Sequence, residues 1–357
     1  MFDIAIIGAG PAGSTVSRLL GRDRRILLLE RRAMQSEQTR QDKCCGGLLA
    51  PDAQQALATL RLGIPRQVLC GPQLFAVCAL DLDSGQERFY QRFYINTDRL
   101  EFDRYLLSLV PSSVDYREGI RCREIAREAA GFRLRLSSVD GKRAWNERAR
   151  IVIGCDGAGS VVRRTLFSSV PRPRSYTAVQ EWFETKSESS PYYGAIFSQQ
   201  TTDFYGWTIP KERQLIIGAA LTPGDRVMER FRSLVDRLRA RGLRLGRMVR
   251  RHAAPVLRPG SLREICLGGD GAALVGEAAG FISPSSAEGV SFALLSARAL
   301  AQAMTAGERG WLERYRVLTL TLRLKIVLKG LKAPVIYHPL LRSLIMRSGL
   351  SSLPISE

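Results

Sequence analysis

The stretch Ile4-Ala5-Ile6-Ile7-Gly8-Ala9-Gly10-Pro11-Ala12-Gly13-Ser14 joins a short apolar run to a glycine-rich turn. The apolar run predicts a buried parallel strand, and the spacing from Ser14 to Leu20 predicts a helix. A G-x-G-x-x-G turn between strand and helix is typical of dinucleotide binding. Gly8 allows the turn, Gly10 lets the backbone approach a pyrophosphate, and Gly13 lets helix and strand pack closely. We therefore expect Gly8, Gly10, Ala12 and Gly13 to bind a dinucleotide.

A second apolar run, Ile26 to Leu29, predicts the next parallel strand. It ends at Glu30, about 20 residues beyond the glycines, where a carboxylate accepts hydrogen bonds from the adenosine ribose. We expect Glu30 and the adjacent Arg31 to contact the cofactor. The N-terminus of the intervening helix offers unpaired N–H groups to the phosphates.

Length and charge limit the remaining possibilities. The chain has 357 residues, 45% of them hydrophobic, which favours two intimately connected domains over one core. No apolar run reaches the ~18–20 residues of a membrane span. The absence of a cationic leader predicts a cytoplasmic protein, with a peripheral position at the inner face of the membrane as an option. The net charge of +19 implies attraction to polyanions, but no recognisable module predicts a nucleic-acid partner.

Cysteine and histidine usage argues against a metal site. The seven cysteines form no C-x-x-C pair, and the chain has only two histidines. A zinc site is therefore not expected, and the cysteines are expected to be reduced thiols.

The predicted domains are discontinuous in sequence. Residues 1–70, 95–165 and 266–306 are assigned to a cofactor domain, and residues 71–94 and 166–265 to a substrate domain. Residues 307–357 form a basic, amphipathic helical region. The predicted elements are antiparallel strands over Tyr192–Phe197, Phe204–Ile209 and Gln214–Ala219, a helix over Arg226–Arg250, and a helical region from Trp311 to Leu331 that breaks at Pro334.

Two further motifs resemble those of p-hydroxybenzoate-hydroxylase-like flavoproteins. Residues 154–163, GCDGAGSVVR, resemble the G-A-D-G-x-x-S-x-V-R motif, and residues 275–290, VGEAAGFISPSSAEGV, resemble the G-D-A-A-x-x-x-x-P…G-x-G signature. The resemblance implies an α/β fold with a Rossmann-like FAD-binding domain of the glutathione reductase type and an antiparallel-sheet substrate domain. It also implies FAD contacts by Asp156, by Glu277 in place of the usual Asp, and by Gly289 and Val290 at a helix N-terminus.

The sequences KCCGGLL (43–49) and FYGWTIPK (204–211) resemble the C-G-x-G and Y-x-W-x-F-P-K motifs of the geranylgeranyl reductase family. The string from Cys45 to Gln54 resembles a bacterial branch of that family associated with colicin M resistance. The resemblance implies that Cys45, Gly46 and Gly47 lie beside the flavin. It further implies that Arg99 reaches the cofactor and that Cys122 contacts the adenine through its backbone.

Tyr205 and Trp207 are predicted to share one face of a strand, because side chains alternate with period two. In the resembled family this face forms an apolar wall for substrate, whereas without that resemblance the two rings are most simply core aromatics. Tyr205, Cys45 and a bound water are the candidate proton donors. Tyr205 and Cys45 are therefore the candidate catalytic residues.

The resemblance implies an FAD-dependent reductase of carbon–carbon double bonds in an isoprenoid, polyprenyl or similar apolar substrate, which can carry a phosphate. Reduced FAD delivers hydride to one alkene carbon and a proton reaches its neighbour. The alternatives are a flavin monooxygenase or halogenase, and a non-catalytic flavoprotein that sequesters a lipid. Only one dinucleotide fingerprint is present, so electrons are expected from a ferredoxin, a flavodoxin or transiently bound NAD(P)H.

The segment from Arg314 to Arg347 carries eight basic residues, no acids and a recurring aliphatic stripe. This composition is typical of a segment on an anionic membrane. The alternative is that the stripe packs on the protein's own core and the cations are its solvated face.

Overall fold

The computed structural model describes residues 1–34, 43–185 and 191–349. Its strands are β1 (Phe2–Ile7), β2 (Ile26–Leu29), β3 (Leu48–Leu49), β4 (Leu74–Asp81), β5 (Glu87–Asn96), β6 (Asp115–Arg117), β7 (Ile120–Glu128), β8 (Gly131–Ser138), β9 (Ala144–Gly154), β10 (Arg174–Glu184), β11 (Tyr192–Phe197), β12 (Gly206–Lys211), β13 (Gln214–Leu221), β14 (Met248–Arg258), β15 (Gly268–Gly269) and β16 (Ala272–Leu274). Its α-helices are α1 (Pro11–Leu20), α2 (Pro51–Thr59), α3 (Arg99–Ser108), α4 (Val161–Leu166), α5 (Val227–Ala240), α6 (Val290–Thr305), α7 (Trp311–Leu318), α8 (Leu320–Tyr337) and α9 (Pro339–Ser348).

The first sheet has a parallel centre. Its order is β15-β16-β9-β1-β2-β6, and β1 pairs in parallel with both β2 and β9. The first half of β9 pairs with β8 and so adds the antiparallel meander β7-β8-β9. All four residues of β2 are buried, as expected of a parallel strand covered on both faces.

The second sheet is almost entirely antiparallel, in the order β14-β10-β13-β12-β11-β4-β5-β3. One face packs against α5 through residues such as Phe231 and Leu234. The opposite face carries an aromatic cluster with Tyr205 and Trp207, and it also packs against Tyr337 of α8 and Met346 of α9. The predicted fold class, a parallel cofactor-type sheet with an antiparallel second sheet and C-terminal helices, is confirmed. The domain boundaries stay a prediction, to which strand pairing adds that β3, from the first predicted segment, joins the second sheet.

Two predicted helices differ from those observed. The segment Arg226–Arg250 is helical only over α5, because the chain turns at Gly242 with φ +94° and continues into β14. The C-terminal helical region breaks at Thr319, between α7 and α8, and not at Pro334. Pro334 lies in the last turn of α8, where its missing N–H removes only one bond near the helix end.

The C-terminal helices are tied to both cores. Leu322 and Ile326 of α8 are buried in the core of the first sheet, and Tyr337 packs on the second. In α9, Arg342 Nε donates to Asp81 Oδ2 of β4 at 3.0 Å, and both side chains are buried. Arg88 Nε also donates to the Met346 carbonyl at 2.7 Å. The helices are therefore an integral part of the fold.

We expect Arg342→Met to lower the free energy of unfolding by about 3–5 kcal/mol, because it leaves the buried Asp81 carboxylate without its cation. Urea denaturation followed by circular dichroism measures the change. Arg347→Met, at an exposed position of the same helix, is the control and should have little effect. Equal stability of the two variants would contradict a structural role for the ion pair.

Candidate functional site

The glycine turn between β1 and α1 is closed on one side and open on the other. A Cβ on Gly13 would lie 1.8 Å from the Gly8 carbonyl oxygen, and Gly8 itself has φ +99°. A Cβ on Gly10, in contrast, would meet no atom within 4 Å. Ala12 is buried, and a Cβ on Gly276 would contact it at 3.4 Å. The open side lies at the N-terminus of α1, where the N–H groups and helix dipole favour a phosphate.

Glu30 connects the end of β2 to this turn. Its Oε2 accepts from the Ala9 N–H at 3.0 Å, and its Oε1 accepts from the Arg32 N–H at 3.0 Å. The Arg32 side chain forms ion pairs with Glu30 and with Asp103 of α3, both at 3.2 Å. Arg31, which was predicted to contact the cofactor, is exposed beside them.

A buried charge cluster continues from Asp103 towards Cys45. Asp103 is fully buried and also pairs with Arg99 at 3.0 Å. Burial favours the neutral acid, but the two arginines outweigh it and lower the Asp103 pKa. Burial likewise opposes ionisation of the Cys45 thiol, yet the Arg99 guanidinium beside it holds the Cys45 pKa below its ordinary value. Cys45 is thus the thiol most suited to ionise in this loop.

The neighbouring Cys44 has a different environment. Its Sγ donates to the carbonyls of Ala178 and His252 at 3.5 and 3.6 Å, so it points to the second sheet. Burial raises the Cys44 pKa to about 12. The two adjacent thiols therefore have opposite tendencies to ionise, and all seven cysteines are free.

The loop formed by Gly46 and Gly47, after Cys45, packs closely against β12. A Cβ on Gly46 would lie 2.2 Å from Ile209 Cδ1, and one on Gly47, at φ +66°, would lie 2.3 Å from the Thr97 carbonyl oxygen. The same carbonyl accepts from the buried Lys211 Nζ at 2.6 Å. Burial lowers the Lys211 pKa to about 8. The two motifs that resemble the geranylgeranyl reductase family therefore meet in space.

The end of β9 lies directly beside the glycine turn, where a Cβ on Gly8 would come within 3.1 Å of Asp156 Cα. Asp156 Oδ2 accepts from the Val161 N–H at 2.6 Å, while its Oδ1 is buried and has no partner within the described residues. Burial raises the pKa of Asp156 and of Glu277. Glu277 Oε1 accepts from the Leu257 N–H at 3.0 Å, and a Cβ on Gly157 would lie 3.7 Å from Glu277 Oε2. Cys122, on β7, is buried nearby in the first sheet's core.

These features fit FAD. The open space over Gly10 suits a pyrophosphate, and the unpartnered Asp156 Oδ1 suits a hydroxyl donor. Gly289 precedes Val290 at the start of α6 and provides no side-chain cap, so the helix N–H groups are available to a ligand. The residues present could therefore hold the cofactor that the sequence predicts.

The predicted substrate residues lie on the inner face of the second sheet. The Tyr205 and Trp207 ring centroids are 5.5 Å apart, and the indole lies over Gly218, where a Cβ would come within 2.3 Å of the ring. The Tyr205 hydroxyl donates to the Ser286 carbonyl at 2.6 Å, and Tyr337 donates to the Ser285 carbonyl at 2.7 Å. Both predicted rings are buried in the core of this sheet, and Tyr205 also contacts the loop before α6.

Sequence reasoning missed two residues of this site. Arg32 was overlooked in favour of Arg31, although an arginine two residues after the ribose acid can turn back to pair with it. Lys211 lies inside the quoted FYGWTIPK motif, but its role depends on Thr97, which is distant in sequence. Only the role of Arg32 could have been predicted from neighbouring residues in the sequence.

No protein-family profile matches the chain. Its structure is similar to a geranylgeranyl bacteriochlorophyll reductase-like protein from Thermoplasma acidophilum, with a TM-score of 0.81 and 17% identity over 99% of this chain and 92% of that one. It is also similar to PqsL, a probable FAD-dependent monooxygenase from Pseudomonas aeruginosa, with a TM-score of 0.69 and 18% identity over 98% of this chain and all of that one. The fold is therefore the one shared by FAD-dependent monooxygenases and geranylgeranyl reductase-like proteins.

Sequence comparison is more specific. The chain is 39% identical to protein CbrA of Escherichia coli O6:H1 (strain CFT073) over 99% of this chain and 95% of that protein. It is 39% identical to protein CbrA of Shigella dysenteriae serotype 1 (strain Sd197) over 99% of this chain and 98% of that protein. The chain belongs to the CbrA family.

We expect the purified protein to carry one noncovalent FAD per chain and Gly10→Val to lose it, because the valine side chain would occupy the open space over the turn. Flavin absorbance per chain measures the content. Gly63→Val is the control, since a Cβ on Gly63 also meets no atom within 4 Å. Retention of FAD by Gly10→Val would place the pyrophosphate elsewhere.

We expect iodoacetamide to alkylate Cys45 and not Cys44 in apoprotein at pH 8, because only the thiolate reacts. A pKa of about 12 leaves a thiolate fraction on the order of 10⁻⁴ at Cys44. Fragment-ion mass spectrometry separates the adjacent sites.

Arg99→Met should slow Cys45 alkylation, while Arg99→Lys should retain most of it because the charge remains. Arg104→Met, on the same helix, is the matched control. Equal labelling of both cysteines, or an Arg99→Met rate like that of the parent, would contradict this electrostatic account.

Proposed function

We propose that the protein is an FAD-dependent oxidoreductase that reduces carbon–carbon double bonds of an isoprenoid or similarly apolar lipid. The observation that carries this proposal is the close packing of the Cys45-Gly46-Gly47 loop against β12. It joins a loop expected beside the flavin to the strand with Trp207. Bound FAD, once reduced, supplies the hydride.

The chain's own residues hold and orient the reactants. The turn at Gly10 and the Asp156 carboxylate bind the cofactor, and the closely packed glycines fix the distance between the cofactor loop and the second sheet. The aromatic face that contains Tyr205 and Trp207 orients an apolar chain and excludes water. An external ferredoxin, flavodoxin or NAD(P)H is the proposed electron source.

Tyr205 and Cys45 are the proposed proton donors, and their environments differ. Burial raises the Tyr205 pKa, so its hydroxyl stays protonated, and it is hydrogen-bonded to Ser286. Arg99 favours the thiolate at Cys45, which weakens that residue as a donor near neutral pH. Tyr205 therefore keeps its proton near neutral pH but is a weak acid, because burial raises its pKa and its hydroxyl already donates to the Ser286 carbonyl.

The proposal is tested by incubating dithionite-reduced protein with geranylgeranyl diphosphate under anaerobic conditions. Mass spectrometry should find products heavier by two hydrogens for each reduced bond. Products that gain oxygen or halogen under aerobic turnover would support the monooxygenase or halogenase alternative. An unchanged but tightly retained lipid would indicate sequestration, and either result overturns the proposal.

We expect Trp207→Ala to raise KM for the lipid roughly 10- to 100-fold, since burial of such a ring contributes about 1.5–3 kcal/mol. Its flavin spectrum should be unchanged. Trp145→Ala, in β9, removes a comparable ring from the first sheet and is the control. Normal KM with Trp207→Ala would mean that this ring is only a core residue.

A further inference from the structure

The C-terminal helices present an unusual concentration of exposed apolar side chains. On α8, Leu320, Leu324, Val327, Leu328, Leu331 and Val335 follow one another at helical spacing, with Leu331 68% exposed. On α9, Leu340, Leu341, Leu344 and Ile345 do the same, with Leu340 71% exposed. We call these ten residues the C-terminal apolar surface.

The helices that carry this surface are packed firmly against the rest of the protein. The other side of α8 is buried through Leu322, Ile326 and Ala333, and α9 is held by the Arg342–Asp81 ion pair. The helices thus have a fixed inner face, and the outward stripe has no covering element within the described residues. Large exposed sets of apolar side chains of this kind mark an interaction site.

The charges around the surface identify its partner. No acidic residue occurs between Arg314 and Arg347. Lys329 pairs with Asp52 and Glu288, and Asp52 also lies near Lys325, whereas Lys332 and Arg347 form no ion pair with any residue that the structure describes. Apolar stripes flanked by cations match a bilayer with anionic headgroups.

A second copy of the chain fits less well, because it would bring the same cations face to face. Across the described residues, no helix has both the length and the apolarity of a membrane span.

We propose that the C-terminal apolar surface docks the protein on the surface of an anionic lipid bilayer. This inference does not depend on the proposed reductase activity. The inner face of α8 and α9 meets the aromatic side of the second sheet through Tyr337 and Met346. Docking therefore brings to the membrane the helix whose Tyr337 ring lies 6.5 Å, centroid to centroid, from that of Tyr205.

The test is cosedimentation of the full chain with vesicles, without any substrate. We expect strong binding to vesicles of phosphatidylglycerol and phosphatidylcholine, and at least 10-fold weaker binding to phosphatidylcholine alone or in high salt. The triple variant Leu324→Gln, Leu328→Gln, Leu331→Gln should lose at least 10-fold in binding. Its control, Met248→Gln, Val249→Gln, Leu262→Gln, replaces three exposed apolar residues elsewhere and should bind like the parent.

A charge test separates this surface from the general basicity of the chain. Lys325→Gln, Lys332→Gln, Arg347→Gln should weaken binding more than Arg121→Gln, Lys142→Gln, Arg143→Gln, which removes three cations from the first sheet's edge. Equal loss from both charge variants, or normal binding by the leucine variant, overturns the proposal. The proposal is also overturned if the parent protein does not bind vesicles but forms dimers, and the leucine variant disrupts those dimers.

Flavin content and thermal unfolding are measured on every variant. Because the assay has no turnover step, a protein that fails to reduce lipid can still bind vesicles through this surface. Failure of docking and failure of the reductase proposal are therefore distinguishable.

Discussion

The close contact between residues 46–47 and β12 is the constraint on which the arrangement of the site depends. A side chain at position 47 would meet the Thr97 carbonyl of the backbone, whereas one at position 46 would displace the end of the Ile209 side chain. Lys211 then donates to that same carbonyl from a buried position. The loop beside the cofactor site is thus joined to the strand that bears Trp207 through the Ile209 and Lys211 side chains, while the Thr97 N–H donates to the Gly47 carbonyl and holds the loop's backbone.

The acidic and basic groups form a second, electrostatic level of organisation. From Glu30 through Arg32, Asp103 and Arg99 to Cys45, each buried charge has a neighbour of opposite sign. Such a cluster costs more to bury than apolar residues, but once assembled it fixes the orientation of every member. It also connects the predicted ribose end of the cofactor site to the predicted flavin end.

The sequence predicts the parts of this fold that depend on local pattern. The turn from Gly8 to Gly13 and the buried strand at Ile26–Leu29 need only neighbouring residues to be recognised. The end of α5 was missed because Leu245 continues the apolar helical spacing past Gly242, and only strand pairing with β10 makes the next segment extended. Pro334 was expected to break a helix, yet packing of Tyr337 carries the helix one turn further. The Arg32–Asp103 and Lys211–Thr97 contacts require tertiary structure, and no spacing rule brings these residues together.

The contact between Gly46 and Ile209 also limits how the family can diverge. A methyl group at position 46 would lie 2.2 Å from Ile209 Cδ1, so alanine there requires the end of that side chain to turn away or a smaller residue at 209. Conversely, a bulkier residue at 209 must turn away from the loop. The two positions lie 163 residues apart in the chain. They are therefore expected to vary in a correlated way during evolution.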